Sequence, residues 1–236
     1  MKLLALDTAT LVASVAAASE RGEVTLRDAR VTTHSERLLA LIDEALRDAG
    51  LSPDALEAIV CGAGPGSFTG LRIGMATAKG LCFALGRPLV TVSSLVALAL
   101  EGGPGVVLAL LDAKKQEVYA GLYDLTGKFP RPLTSEAVLP PRHLEAWVQA
   151  ASPDLPVRVV GDGALAYPSE AARAGQVLEG ARGTPSAARM IALAEQRLGD
   201  GAPDELVVAV PRYLRPSEAE LKFPDGFVVD RPKPSR

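Results

Sequence analysis

The sequence has little of what metal and nucleophile chemistry needs. It contains two histidines, His34 and His143, which stand far apart, and two cysteines. Neither an H-E-x-x-H nor a C-x-x-C pattern occurs, so the usual zinc ligand sets are missing. A G-x-S-x-G nucleophile elbow is missing as well. We therefore predict no catalytic residue and no metal site in this chain.

Aromatic residues and positive charge are also scarce. Aromatics make up 4 % of the chain, and the formal net charge is −3. These values argue against stacking platforms for single-stranded bases and against a broad basic footprint for nucleic acid. Although 48 % of the residues are hydrophobic, no apolar run approaches the ~18 residues that span a bilayer. The length of 236 residues suits one large or two small domains.

The cysteines and the N-terminus both bear on the compartment. Cys61 and Cys82 lie in apolar stretches, which favours buried, reduced thiols and a reducing compartment. The apolar stretch that follows Lys2 mimics a signal peptide, but Asp7 and Thr8 interrupt it. We read this stretch as a pair of strands and predict a cytoplasmic protein.

Apolar patterning predicts an α/β fold with two related halves. Strands are expected over 3–6, 13–18, 24–29, 59–61 and 89–92, with helices over 33–49 and 68–85. After the linker candidate Gly102–Gly105, an apolar strand ends in Asp112, as the first strand ends in Asp7, and a second strand follows over 117–123. We predict an N-terminal lobe over 1–103, a C-terminal lobe over 104–210 and a proline-rich tail over 211–236.

Helix signals add detail to both lobes. Thr33 and Glu36 form a capping box at the start of the first helix. In the second lobe the pattern predicts a proline-rich connection, a helix, a strand and a last helix, over 130–141, 144–150, 157–160 and 185–198. We expect Thr184 to cap this last helix, with Pro185 at its first position.

The loop from Gly62 to Gly70 resembles a phosphate cradle only in part. A P-loop continues with Gly-Lys-Ser/Thr, which is missing here. A dinucleotide fingerprint would need a glycine where Thr69 stands. The glycines are therefore read as a tight strand-to-helix turn with Ser67 or Thr69 as the N-cap. Weak anion binding at the helix start stays as an alternative.

Two aspartates suggest a nucleotide cleft. Asp7 and Asp112 each follow an apolar strand, and in a two-lobed fold they could hold hydrated Mg²⁺ against the phosphates of ATP or ADP. Thr8, Gly161 and Gly163 complete this candidate cofactor site. The alternative is that each aspartate hydrogen-bonds its own turn.

The helix over 68–85 carries only two charges, Arg72 and Lys79, and is apolar or small elsewhere. The apolar positions of the preceding helix cover an arc of about 160°, wider than the ~100° stripe of a surface helix. Complete burial inside a monomer is one reading of this pattern, and a helical interface with a partner is the other. The predicted partner-interface residues are Leu38, Leu41, Ile42, Ala45, Gly70, Ile73, Gly74, Thr77 and Leu81.

Several blocks together resemble a known family. They are LLALDTAT, THSERLL, GAGPGSFTGLRIGMATAKGLCFALG, VTVSSLVAL, LLDAKKQEVYAGLY and PRYLR. In this order, from Lys2 to about Arg215, they look like the TsaB family, also called YeaZ. GPGSFTGLRIG is the most specific of them.

The resemblance implies an actin/Hsp70/sugar-kinase-like fold and a non-catalytic role in making threonylcarbamoyladenosine in tRNA. It implies pairing with TsaD, which transfers threonylcarbamoyl from its adenylate to N6 of the adenosine 3′ to the anticodon. TsaE, an ATPase, joins the complex, tRNA is met mostly through the complex, and a homodimer forms when TsaD is absent. The helices over 33–49 and 67–85 are implied to pack against the partner.

The family's TsaD subunit binds its metal through paired histidines on a helix. Around His34 the sequence reads His-Ser-Glu-Arg-Leu, without a second histidine, so the active centre is expected to be absent here. A stand-alone ATP-binding enzyme that uses Asp7 and Asp112 remains the alternative function. A peptidase has no support in the residues.

Overall fold

The computed structural model describes residues 1–30 and 34–216. It contains eleven strands and seven α-helices in that part of the chain. The strands are β1 (Leu3–Asp7), β2 (Val12–Ala18), β3 (Val24–Arg30), β4 (Ala58–Gly62), β5 (Leu89–Val92), β6 (Val106–Lys114), β7 (Glu117–Asp124), β8 (Arg131–Pro132), β9 (Ala137–Leu139), β10 (Val157–Val160) and β11 (Gln176–Val177). The helices are α1 (His34–Asp48), α2 (Phe68–Leu85), α3 (Ser94–Ala99), α4 (Leu144–Ala151), α5 (Asp162–Ala166), α6 (Pro168–Ala174) and α7 (Ala187–Gly199).

The strands form two sheets with the same topology. The first has the order β3-β2-β1-β4-β5, and the second has the order β11-β10-β6-β7-β8, with β9 also paired to β7. In each sheet the first two strands of the half, β1 with β2 or β6 with β7, are antiparallel. The central strand then pairs in parallel with the next strand of its half, β4 or β10. The repeat predicted from Asp7 and Asp112 is therefore a repeat of strand order.

Helices cover both faces of both sheets. The outer face of the first sheet packs against α1 and α2, while Leu3 and Ala5 of β1 face α7 on its other side. The second sheet packs against α3 on one face and against α4 and α6 on the other. Because α3 and α7 also contact each other, they form the layer between the sheets. The mixed α/β architecture with two related sheets confirms the predicted fold class.

Two helices cross between the halves. The helix α3 precedes the Gly102–Gly105 turn but packs on β6 and β7, and α7 belongs to the second half but packs on β1, β2 and β5. The predicted lobe bounds 1–103 and 104–210 thus divide the two sheets correctly, but they do not divide the helices that cover them. As domain bounds they stay a prediction.

Helix ends were predicted with mixed success. Ser67 caps α2, its side chain accepting a hydrogen bond from the Gly70 amide at 3.3 Å, and Gly86 ends the helix at a φ of 63°. The N-cap of α7 is Ser186 rather than Thr184, because that helix begins two residues later than Pro185. Thr33 lies outside the described residues. No helix among the described residues is long and apolar enough to cross a bilayer.

Candidate partner interface

The apolar stripe of α1 faces its own sheet. Leu38 and Ala45 are 0 % exposed, and Leu41 and Ile42 are buried with them against β2 and β3. These four predicted interface residues are therefore covered by the chain's own packing in this conformation, and their contact with a partner stays a prediction. The wide arc is explained by two neighbours, because α1 packs on the sheet and also against α2.

The glycines at the start of α2 serve the chain's own packing. A Cβ atom on Gly70 would lie 2.1 Å from Thr8 O, and one on Gly74 would lie 2.2 Å from Thr8 Oγ1. The Thr8 hydroxyl donates a hydrogen bond to Gly70 O at 2.8 Å. Gly70 and Gly74 are buried, and the backbone that approaches them belongs to the turn between β1 and β2, so their contact with a partner stays a prediction.

The remaining predicted residues of α2 lie at the edge of its buried face. Ile73, Thr77 and Leu81 are half-buried, and Ile73 and Leu81 pack against the first core. They are four residues apart in succession, so they lie in one row along the helix. This row borders the solvent-facing side of α2.

The solvent-facing side of α2 is unusually apolar for a helix surface. Phe83 is 85 % exposed, the largest value among the large apolar side chains in the described residues. The other exposed residues on this side are one charged residue, Arg72, and three small ones, Ala76, Gly80 and Ala84. A Cβ atom on Gly80 would meet nothing within 4 Å. Packing within the chain therefore gives no reason for a glycine there, although glycine costs a helix about 1 kcal/mol relative to alanine.

On α1, Leu39 stands out in the same way. Its side chain is 57 % exposed although the residues on either side of it in the helix pattern, Leu38 and Leu41, are buried. Since α1 and α2 pack side by side on one sheet, their exposed sides share one outer surface. We call Leu39, Ala76, Gly80, Phe83 and Ala84 the outer helix face.

A C-terminal segment, residues 203–216, lies along α2, and we call it the strap. Lys79 Nζ donates to the carbonyl oxygens of Val207 and Ala209, at 3.1 and 2.9 Å. The rings of Tyr213 and Phe68 stack at 4.1 Å between centroids, and Arg72 Nε donates to the Tyr213 hydroxyl at 3.1 Å. The two charges of α2 thus hold the strap.

The upstream end of the strap is tied to β5 and α7. Asp204 accepts hydrogen bonds from the Thr91 backbone N–H and hydroxyl and forms an ion pair with Arg197 at 3.2 Å. Burial raises the pKa of the Asp204 carboxyl, but the hydrogen bonds from Arg197 and Thr91 outweigh it, so the net pKa is lowered.

The predicted nucleotide-cleft residues have partners within the chain. Asp7 is completely buried, accepts hydrogen bonds from the Ser94 hydroxyl at 2.6 Å and the Ala9 amide at 2.9 Å, and has its pKa raised by burial. A Cβ atom on Gly62 would lie 2.0 Å from Asp7 Oδ2. The alternative in which an aspartate bonds its own turn describes the Asp7–Ala9 contact, and α3 supplies the rest.

The second half builds a related arrangement from different contacts. Asp112 pairs with Lys114 at 2.5 Å, and its backbone amide donates to Asp162 Oδ1 at 2.9 Å. Burial raises the pKa of Asp162. Cβ atoms on Gly161 and Gly163 would press on Leu110, at 2.0 Å from its carbonyl oxygen and 2.9 Å from its Cβ. Both glycines are thus explained by packing, and nucleotide binding by these five residues stays a prediction.

Neither cysteine is disulfide-bonded, and both are buried. Burial raises the pKa of Cys82 to about 11 and raises that of Cys61 further. Within residues 1–30 and 34–216, no three His, Cys, Asp or Glu side chains come together as a metal site would require.

Sequence reasoning missed the residues that remain accessible. Phe83 and Leu39 were counted as apolar helix positions, but composition alone does not show which side of a helix faces solvent. Gly80 carried a usable signal, since a helical glycine is costly, but the same signal came from Gly70 and Gly74, which are buried.

Two sheets of matching strand order with helices on every face define an α/β protein of the actin/Hsp70/sugar-kinase type. A family model described as TsaD: tRNA N6-adenosine threonylcarbamoyltransferase matches residues 28–223. The tRNA threonylcarbamoyladenosine biosynthesis protein TsaB of Escherichia coli is 34 % identical over 231 residues, covering 95 % of this chain and 99 % of that protein. The TsaB protein of Bacillus subtilis is 30 % identical over 241 residues, covering 94 % and 98 %.

Among solved structures, YeaZ from Pseudomonas aeruginosa matches with a TM-score of 0.76 and 35 % identity, covering 90 % of this chain and all of that one. Because these matches run over almost the whole length of each protein, the chain belongs to the TsaB (YeaZ) family within the wider TsaD-related group. Its relatives are named for tRNA threonylcarbamoyladenosine biosynthesis, which confirms the family predicted from the sequence blocks.

Proposed function

We propose that this chain is a non-catalytic subunit that binds and activates a TsaD-type threonylcarbamoyltransferase through the outer helix face. The observation that carries the proposal is the pairing of an 85 % exposed Phe83 with a glycine, Gly80, that has open space around it. An exposed aromatic beside a bare stretch of helix backbone is what a second helix needs in order to pack closely.

The histidines and cysteines of this chain support the accessory role. The sequence has two histidines, and neither stands beside the other as the paired histidines of a TsaD subunit would. Cys61 and Cys82 are buried with raised pKa values, so neither offers a reactive thiolate. The relatives named TsaB do not favour the alternative of a stand-alone ATP-binding enzyme.

Other partners follow from the same role. A TsaE-type ATPase would join through the complex, tRNA would be met mainly on the complex, and the site of action would be the cytoplasm. When the transferase is absent, a second copy of this chain would cover the outer helix face, since the face stays apolar. Binding of ATP or ADP with Mg²⁺ at Asp7 and Asp112 is a separate proposal, which calorimetry with Mg-ATP tests.

The pairing test compares two exposed apolar residues. Phe83→Asp places a charge on the outer helix face, and Leu165→Asp places one on a 75 % exposed side chain of α5 in the second half. Each is mixed with the TsaD-type protein of the same organism, and the complex is measured by size-exclusion chromatography and calorimetry. We expect Phe83→Asp to weaken pairing at least tenfold and Leu165→Asp to leave it unchanged. Equal pairing by both variants would place the interface elsewhere.

A further inference from the structure

A cavity of about 520 Å³ opens beside α3, away from the outer helix face. Its apolar wall includes Val96, Pro130 and Leu133. Its polar lining combines residues from distant parts of the chain, namely Ser93, Tyr123, Thr134, Glu136 and Arg212. Apolar walls with a few converging polar groups, in a volume of about 300–1,000 Å³, are typical of small-molecule sites.

A buried carboxylate forms the polar centre of this cavity. The side chain of Glu136 is 6 % exposed. Its Oε1 accepts a hydrogen bond from the Tyr123 hydroxyl at 2.7 Å and another from the Ser93 hydroxyl. Burial, together with the neighbouring Glu136 carboxylate, raises the pKa of Tyr123, which keeps the phenol as a donor. The orientation of the carboxylate is therefore fixed from one side.

The other carboxylate oxygen, Oε2, has an ion-pair partner but no hydrogen bond of good geometry within the described residues. Arg212 Nη1 lies 3.1 Å from Glu136 Oε2 and pairs with it in charge. Even so, no donor among the described residues meets hydrogen-bond geometry at this buried oxygen. The buried Thr134 hydroxyl lining the same cavity likewise lacks a partner in residues 1–30 and 34–216. Buried polar atoms are normally hydrogen-bonded, so these two atoms offer hydrogen-bonding capacity to a molecule that enters the cavity.

We propose that this cavity binds a small, neutral, planar molecule that carries an N–H donor next to an acceptor, as a primary carboxamide does. The N–H group donates to Glu136 Oε2, and the carbonyl oxygen accepts from Arg212 or Thr134. A cation would compete with Arg212 for the carboxylate, and an anion would meet the Glu136 charge. A neutral ligand adds the missing hydrogen bonds without disturbing the ion pair.

Three probes of one shape distinguish a neutral ligand from an anion and a cation. Benzamide, benzoate and benzamidine differ in charge and hydrogen-bonding edge but share the phenyl ring. Each is titrated into the full chain and followed by two-dimensional amide NMR. We expect saturable one-to-one binding of benzamide, with shifts at cavity residues and an affinity at least tenfold above the other two. Failure of benzamide to saturate, or equal or tighter binding of either charged probe, overturns the proposal.

A single substitution changes the group that the ligand meets from a hydrogen-bond acceptor to a donor. In Glu136→Gln, the amide oxygen can keep the bonds from Tyr123 and Ser93, so the amide nitrogen replaces Oε2 and presents a donor instead of an acceptor. Benzamide affinity should fall at least tenfold, and benzoate should bind more tightly than benzamide. Glu145→Gln, a change at a half-buried side chain on α4, is the matched control and should leave both affinities unchanged.

A second variant keeps the test valid if Glu136→Gln does not fold. Ser135 is exposed and lines the cavity, so Ser135→Trp narrows it without replacing a buried group. This variant should also weaken benzamide binding at least tenfold. Unchanged benzamide affinity in a folded Glu136→Gln or in Ser135→Trp would show that the probe binds elsewhere and overturn the assignment.

Discussion

A Cβ atom on Gly74 would lie 2.2 Å from the hydroxyl oxygen of Thr8. The helix α2 and the turn after β1 are thus in contact at a distance that only glycine allows, and the same hydroxyl donates to Gly70 O. Six residues further along the helix, a Cβ atom on Gly80 would meet nothing within 4 Å. Two glycines of one helix therefore have opposite environments. Gly74 serves the packing of the chain itself, whereas Gly80 lies on the surface that we propose binds a partner.

Gly74→Leu and Gly80→Leu should change stability in opposite directions. At Gly74 the new side chain collides with Thr8, so we expect a loss of ~3 kcal/mol or more and a fall in Tm of at least ~6 °C. At Gly80 the new side chain enters open space and gains helix propensity, about 0.5–1 kcal/mol. Thermal unfolding followed by circular dichroism measures both.

The same pair separates stability from pairing. Gly80→Leu should lose the TsaD-type partner although the chain itself is more stable, because the leucine fills the space that a second helix would occupy. If Gly80→Leu is more stable but still pairs with wild-type affinity, then no partner helix packs beside Gly80.

Much of the fold could be predicted from local pattern. The strand over 3–6 is a short apolar run, and its residues do alternate between two cores, Leu4 and Leu6 in one, Leu3 and Ala5 in the other. The repeat of strand order followed from two such runs, each leading to an aspartate. Helix α2 was predicted with its observed ends because Ser67 and Gly86 are strong local signals.

The interface could not be predicted at the level of residues. Ile42 is apolar and helical in either reading, and only the tertiary structure shows that it packs inward. A charge at Ile42 would therefore test folding rather than partner binding, since an unpaired buried carboxylate is strongly destabilising. Phe83 has the same sequence signature and the opposite environment.

The cavity had no local sequence signal at all. Ser93, Tyr123, Glu136 and Arg212 come from four separate segments and meet only when the strap and α3 pack on the second sheet. Three short helices were missed for a related reason: α3, α5 and α6 have seven residues or fewer, which is too short for a helical period to emerge.

Asp204→Asn should weaken the attachment of the strap in a pH-dependent way. The pKa of this half-buried carboxyl is lowered in the folded chain, so its stabilising contribution is present above the unfolded pKa of about 3.9 and lost as the pH falls through the folded value. We expect the variant to be about 1–2 kcal/mol less stable at pH 7.

Urea unfolding of wild type and Asp204→Asn at several pH values measures this difference. It should be constant above about pH 5 and shrink as the pH falls from about 4 through the lowered folded pKa, below which both chains carry a neutral group. A difference that grows on acidification would mean that the charge of Asp204 does not stabilise the strap.

The two thiols should be unreactive in the folded chain. Cys61 and Cys82 are both buried, and a pKa of about 11 at Cys82 leaves only about one thiolate in a thousand at pH 8. Ellman's reagent should release two equivalents of chromophore quickly in denaturant and almost none in buffer over the same time. Rapid release of either equivalent from the native chain would show that a thiol is accessible.

The central claim is that this chain activates a TsaD-type transferase by binding it through the outer helix face. The chain itself does not catalyse the transfer. The direct test is threonylcarbamoyl transfer from the adenylate to tRNA by the TsaD-type and TsaE-type proteins of the same organism. The transfer is measured without this chain and with wild type, Phe83→Asp or Leu165→Asp. Wild type and Leu165→Asp should support transfer equally, Phe83→Asp should reduce it at least tenfold, and this chain alone should transfer nothing. Equal transfer with Phe83→Asp, or full transfer without this chain, would contradict the claim.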